Sequence, residues 1–72
     1  MTTQVATICF PDLDSGDGAV IIVRTAGEAA GLALSLEKGG DIEVFFGSQE
    51  LDQLIEALNK TRELLSGVKP VV

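Results

Sequence analysis

Residues Leu32–Phe46 read LALSLEKGGDIEVFF. Leu32, Leu34 and Leu36 alternate with Ala33, Ser35 and Glu37. Alternation at a period of two puts the leucines on one side of a strand, whereas a helix would set Leu34 roughly opposite Leu32 and Leu36. Leu32 to Glu37 therefore reads as a strand. The wider segment Ala26 to Lys38 is rich in helix formers, so a short helix stays open as the alternative. Lys38-Gly39-Gly40-Asp41 then separates this strand from a second one, Asp41 to Phe46. Two central glycines supply the positive φ values that a type I′ hairpin turn requires.

Upstream, Ala19 to Thr25 (AVIIVRT) is the most apolar β-branched run and reads as a central strand. Gln4 to Phe10 (QVATICF) reads as a first strand, stopped by Pro11. Between them Pro11 to Gly18 (PDLDSGDG) is dense in turn formers and reads as a surface loop. Downstream, Ser48 is the expected N-cap of a helix over Gln49 to Ser66, with Glu50 in the first turn where the helix dipole favours an acid. Gly67 suits the left-handed C′ position and Pro70 follows. Leu51, Leu54, Ile55, Leu58 and Leu65 fall on one stripe, and Glu56 with Lys60 forms an i,i+4 pair outside it. The expected fold is α+β: an antiparallel sheet of about four strands followed by one C-terminal amphipathic helix packed on it, ββββα. Residues 1–67 form a single domain and 68–72 a C-terminal tail.

Composition narrows the function. At 72 residues the chain has material for one core only, and small folds of this size add disulfides, a metal or a partner subunit. One cysteine, Cys9, closes no internal bridge, and with no histidine the ligands of a tetrahedral zinc site are missing. Association is the remaining route. The formal charge of −6 makes the chain acidic and repels phosphate backbones and anionic lipid, so nucleic acid and membrane are unexpected partners. No basic stretch leads into an apolar one near the N-terminus, and the longest apolar run, Ala19 to Val23, is far short of a bilayer span. The chain reads as cytoplasmic.

No catalytic constellation is legible. Asp12, Asp14 and Asp17 share a loop, but their spacing does not fit an EF-hand: the twelfth position counted from Asp12 is Val23, where a bidentate Glu belongs. They read as turn caps on a solvated loop. Cys9 lacks a histidine base and reads as a strand thiol. Gly27-Glu28-Ala29-Ala30-Gly31 matches no phosphate-binding pattern and reads as a connection between strands. Arg24, Lys60 and Arg62 read as surface or salt-bridging residues. No cofactor, metal or catalytic residue is expected, and the chain does not read as an enzyme.

The order of elements, carried by Ala19 to Leu65 and above all by DIEVFF leading into ELDQLIEALNKTRELL, resembles the positive-cofactor-four and Whirly-like single-stranded-DNA-binding domains. That resemblance implies a sheet-plus-helix unit dimerising through its helices. It also implies nucleic-acid binding through basic and aromatic side chains of the sheet. Here the sheet offers chiefly Arg24, the chain has no Tyr or Trp, and no binding residue carries over. The same texture is similar to many short uncharacterised bacterial and phage proteins.

Partnering follows from the strands themselves. Val20 and Ile22 point one way and Ile21 and Val23 the other, as do Phe45 and Phe46. One helix about 10 Å across leaves margins on a sheet about 19 Å wide. A second copy would fill them, with Phe46, Leu54 and Leu58 as the expected interface residues. The sequence thus points to a non-enzymatic, homodimeric protein-interaction or regulatory module, with single-stranded nucleic-acid binding as the alternative.

Overall fold

The computed structural model describes residues 1–67, so the expected tail at 68–72 lies outside the described residues. Four strands, β1 (Thr2–Pro11), β2 (Gly18–Ala26), β3 (Ala29–Leu36) and β4 (Gly40–Phe46), precede one helix, α1 (Ser48–Ser66). The strands form a single antiparallel meander in the order β1-β2-β3-β4. The α+β, ββββα layout is therefore as the sequence indicated. β3 settles the ambiguity over residues 26–38 in favour of strand, and it begins at Ala29, three residues earlier than the leucine alternation marks.

Each turn has a specific glycine. Ala26 pairs with Ala29, leaving Gly27-Glu28 as a two-residue loop in which Gly27 alone takes positive φ (62°). Glycine at the first central position is the mark of a type II′ turn. So Gly27–Gly31 is divided, with two residues in the turn and the rest in β3. The β3–β4 turn departs from the expected I′ geometry. Leu36 pairs with Gly40 across the three residues Glu37, Lys38 and Gly39, the Gly39 amide donates to the Leu36 carbonyl (3.2 Å), and only Gly40 is at positive φ (90°). Gly39 is needed for a different reason: a Cβ there would sit 2.9 Å from a Leu36 methyl.

The helix starts one residue earlier than expected, because Gly47, not Ser48, is the N-cap. Glycine has no side-chain oxygen to offer, so the bond runs the other way: the Gly47 amide donates to Glu50 Oε1 (3.1 Å). At the far end Gly67 takes the left-handed conformation (φ 66°), as its position suggested. The Glu56–Lys60 pair is not formed; among the described residues the ion pair is Arg24–Glu43.

Strand register sorts the side chains into two unlike faces, since directly paired residues point to the same side. One row crosses all four strands as Ile8, Ile21, Leu34 and Ile42. Beside it on the same face run Phe10, Ala19 and Leu36, and on its other side Ala6, Val23, Leu32 and Val44. This apolar face carries no ionisable side chain. Arg24, Asp41 and Glu43, the charged residues of the strands, all fall on the opposite, mixed face with Thr7, Cys9 and Ser35.

The helix contacts the sheet chiefly along β3. Leu51 and Leu54 are half-buried, and no residue of α1 is fully buried. Among the described residues the only buried apolar side chain is Ala19 (7% exposed). Within a single chain α1 packs on the sheet chiefly along β3 and leaves the rest of the apolar face open.

Candidate interaction surface

The mixed face is finished for water. Arg24 on β2 reaches over β3 to Glu43 on β4, and it can do so because β3 presents only Gly31 and Ala33 beneath it. Ser35 Oγ donates to the carboxylate of Asp41, its direct partner across the β3–β4 pair. Gln4 Nε2 donates to Thr7 Oγ1 (2.6 Å), the two residues being brought to the same side by a bulge at Val5 between Gln4 and Ala6. Phe45 lies on Gly31, where a Cβ would come within 2.6 Å of the ring. A glycine under an aromatic ring recovers packing area that the missing side chain forfeits. Arg24, Glu43, Ser35, Asp41, Gln4 and Thr7 on this face thus have partners inside the chain.

The apolar face has none. Ile8, Leu34, Ile42 and Val44 are all exposed, Ile42 to 62%. Around the central row the sheet forms an open hollow of about 400 Å³ whose apolar lining is Phe10, Ala19, Ile21, Leu34, Leu36 and Ile42, with Asp12 and Asp41 also on its wall. The helix stripe is equally open, with Ile55, Leu58 and Leu65 exposed. Of the residues expected at the interface, Phe46 and Leu54 are half-buried and Leu58 is 58% exposed. Phe46 shares the apolar face, in register with Ala30 and Thr25. The hollow and the rows that frame it were not singled out from the sequence. The signal was present in the alternation of β1 and β4, but assigning it to one face needed the pairing register.

The acidic loop is organised by local bonds. Asp12 Oδ2 accepts from the Ser15 amide (2.9 Å) and from Ser15 Oγ (2.7 Å), and the Asp17 amide donates to Ser15 Oγ (3.2 Å). Those bonds to the charged form, the Ser15 hydroxyl first, hold the Asp12 carboxyl below its ordinary pKa. Asp12 is thus a turn cap, as read from its neighbours. No group of three or more His, Cys, Asp or Glu converges among the described residues. Cys9 is free and exposed, on the mixed face beside Val20. Among the described residues no helix is long and apolar enough to cross a membrane.

No protein-family model, curated protein or solved structure matches the chain.

Proposed function

We propose that this chain is a homo-oligomeric protein-interaction module whose apolar sheet face and helix stripe are covered by a second copy. The observation that carries this reading is the segregation of charge: the charged side chains of the strands, Arg24, Asp41 and Glu43, lie on one face and have partners there, while the other face is apolar and open. A surface built for water on one side only is built for something else on the other.

The area supports the same reading. A compact monomer of 7.5 kDa exposes about 4,200 Å². This chain exposes 5869 Å², an excess of more than about 1,000 Å² per copy, and obligate homodimers bury roughly 2,000 Å² or more between two copies. With one buried apolar side chain, a lone copy lacks the burial that offsets the entropy of ordering it. Cover must come from outside the chain, and a second copy offers apolar stripe and apolar face together. Folding and association are then one event.

Nothing in the site assembles a nucleophile with a base, so the proposal is non-enzymatic. The alternative of single-stranded nucleic-acid binding is disfavoured by Arg24, which is held by Glu43. Sedimentation equilibrium at micromolar concentration tests the proposal. The expected result is a multiple of the chain mass with a melting temperature that rises with concentration. A monomer with a cooperative, concentration-independent melt would sink it. Oligonucleotide binding at low salt, followed by fluorescence anisotropy, would revive the alternative.

A further inference from the structure

The two open edges of the sheet differ. β4 is seven residues long, carries Asp41 and Glu43, and runs almost directly into the helix. β1 is ten residues long, TTQVATICFP, without one charged side chain. In a chain of net charge −6, a long uncharged edge strand is the place where two copies approach with least repulsion. Isolated proteins guard such edges with charges, prolines or bulges. Here the bulge lies at Val5 and the proline at the end, so Ala6–Phe10 stays regular between them, with Ile8 and Phe10 both exposed.

We infer that β1 is a second self-interface: it pairs antiparallel with β1 of another copy and joins two sheets into one of eight strands. The two-fold axis of such a pairing stands normal to the sheet and keeps like faces on the same side. Centred on Ile8, it sets Ala6 opposite the partner's Phe10 and Thr7 opposite the partner's Cys9. The apolar rows of two copies then run on as one continuous face. The mixed faces, each internally paired, stay together toward solvent.

This inference rests on the self-association proposed above but uses a different surface. Face-to-face cover needs a two-fold axis lying in the plane of the sheet, and edge pairing needs one normal to it. Together they close a four-chain assembly with dihedral symmetry, about 30 kDa in mass.

Cys9 supplies the probe, being the one cysteine of the chain and exposed on the mixed face. In the pairing centred on Ile8 the two Cys9 Cα atoms are roughly 8 Å apart, two residues along adjacent strands. In a purely face-to-face dimer the mixed faces are the two outer surfaces, with two sheets stacked about 10 Å apart between the probes. Nitroxide labels on Cys9 of the intact chain should therefore give a distance population below about 20 Å, lost on dilution with unlabelled chain. Alternate amides of β1 that point away from β2 should also be protected from hydrogen exchange. An assembly with only longer label distances and those amides unprotected overturns the edge pairing and leaves self-association standing. A monomer by sedimentation overturns both. A dimer with the short distance keeps the edge and removes the face-to-face arrangement.

Discussion

The two faces of one sheet, built from alternate residues of the same strands, have opposite economies of contact. On the mixed face the charged groups meet polar partners: Arg24 spans β3 to reach Glu43, and Ser35 meets Asp41. On the apolar face, row after row of aliphatic side chains ends at open space. Exposure alone does not separate the faces, since Phe45 on the mixed side is as exposed as Val44 on the apolar side. The separation is in what the surroundings satisfy. A solvent face is recognised by polar groups that have found each other, and an interface by apolar groups that have not.

The sharpest way to break this contrast is to put a charge on the apolar face. Leu34→Asp removes a side chain that is half open in the single chain, so a free-standing monomer would lose little. Covered by a second copy, the carboxylate would be desolvated without a partner, at a cost of several kcal/mol. The expected outcome is loss of assembly at micromolar concentration by sedimentation, with loss of the cooperative melt. Retention of the wild-type mass would mean that the face is uncovered.

Leu58→Ala asks the same of the helix. If the stripe packs on another copy, truncation costs about 2–3 kcal/mol, including the cavity left behind. If Leu58 stays as open as it is in one chain, the change falls within about 0.5 kcal/mol. Denaturant melts at several protein concentrations distinguish the two, because only the first outcome moves with concentration.

On the mixed face the effects should be smaller and independent of concentration. Gly31→Ala drives a methyl into the Phe45 ring, which can swing aside because it is half exposed. A cost of about 1 kcal/mol is expected. It should vanish in a Phe45→Ala background, as a double-mutant cycle would register.

The smallest effect is that of pH on the loop. Asp12 has its folded pKa below the ordinary 3.8, so it contributes stability above that value and loses it as pH falls through the folded value. Ser15→Ala removes the hydroxyl that lowers it most, and an NMR titration should show the Asp12 carboxyl moving up toward 3.8. The acid limb of the stability curve should lose this small contribution in that variant.

Much of this was legible in the residues. The alternation Leu32, Leu34, Leu36 and the glycines before Asp41 gave β3 and β4, and the 48–66 segment announced a helix with its C′ glycine. Three features were not. The start of β3 at Ala29 was hidden because alanine and glycine carry no strand preference, and cross-strand pairing with β2 overrode propensity. Ser48 was the better N-cap by residue type, but the Glu50 carboxylate reaches the Gly47 amide and fixes the start one residue earlier. The Val5 bulge left no mark in composition. It matters because it shifts the register so that Ala6, Ile8 and Phe10 join the apolar face, and a one-residue slip would turn them to the other side. The expected contacts of Phe46, Leu54 and Leu58 depend on a second copy, which a single chain's sequence describes only by what it leaves open.

The meander order has a kinetic meaning. Every strand pairs with the one that precedes or follows it, so each hairpin can close as soon as its two halves exist. Pairing between neighbours in the chain spares the search the closure of longer loops. With a single buried apolar side chain among the described residues, however, the closed meander gains little by itself. Rapid, reversible zippering should therefore precede a slower encounter whose rate depends on the amount of protein. Stopped-flow refolding should show a fast phase indifferent to dilution and a second phase that slows as the chain is diluted. An unassociated meander populated between the two phases, with its uncharged β1 edge exposed, would be the species most at risk of joining the wrong neighbour.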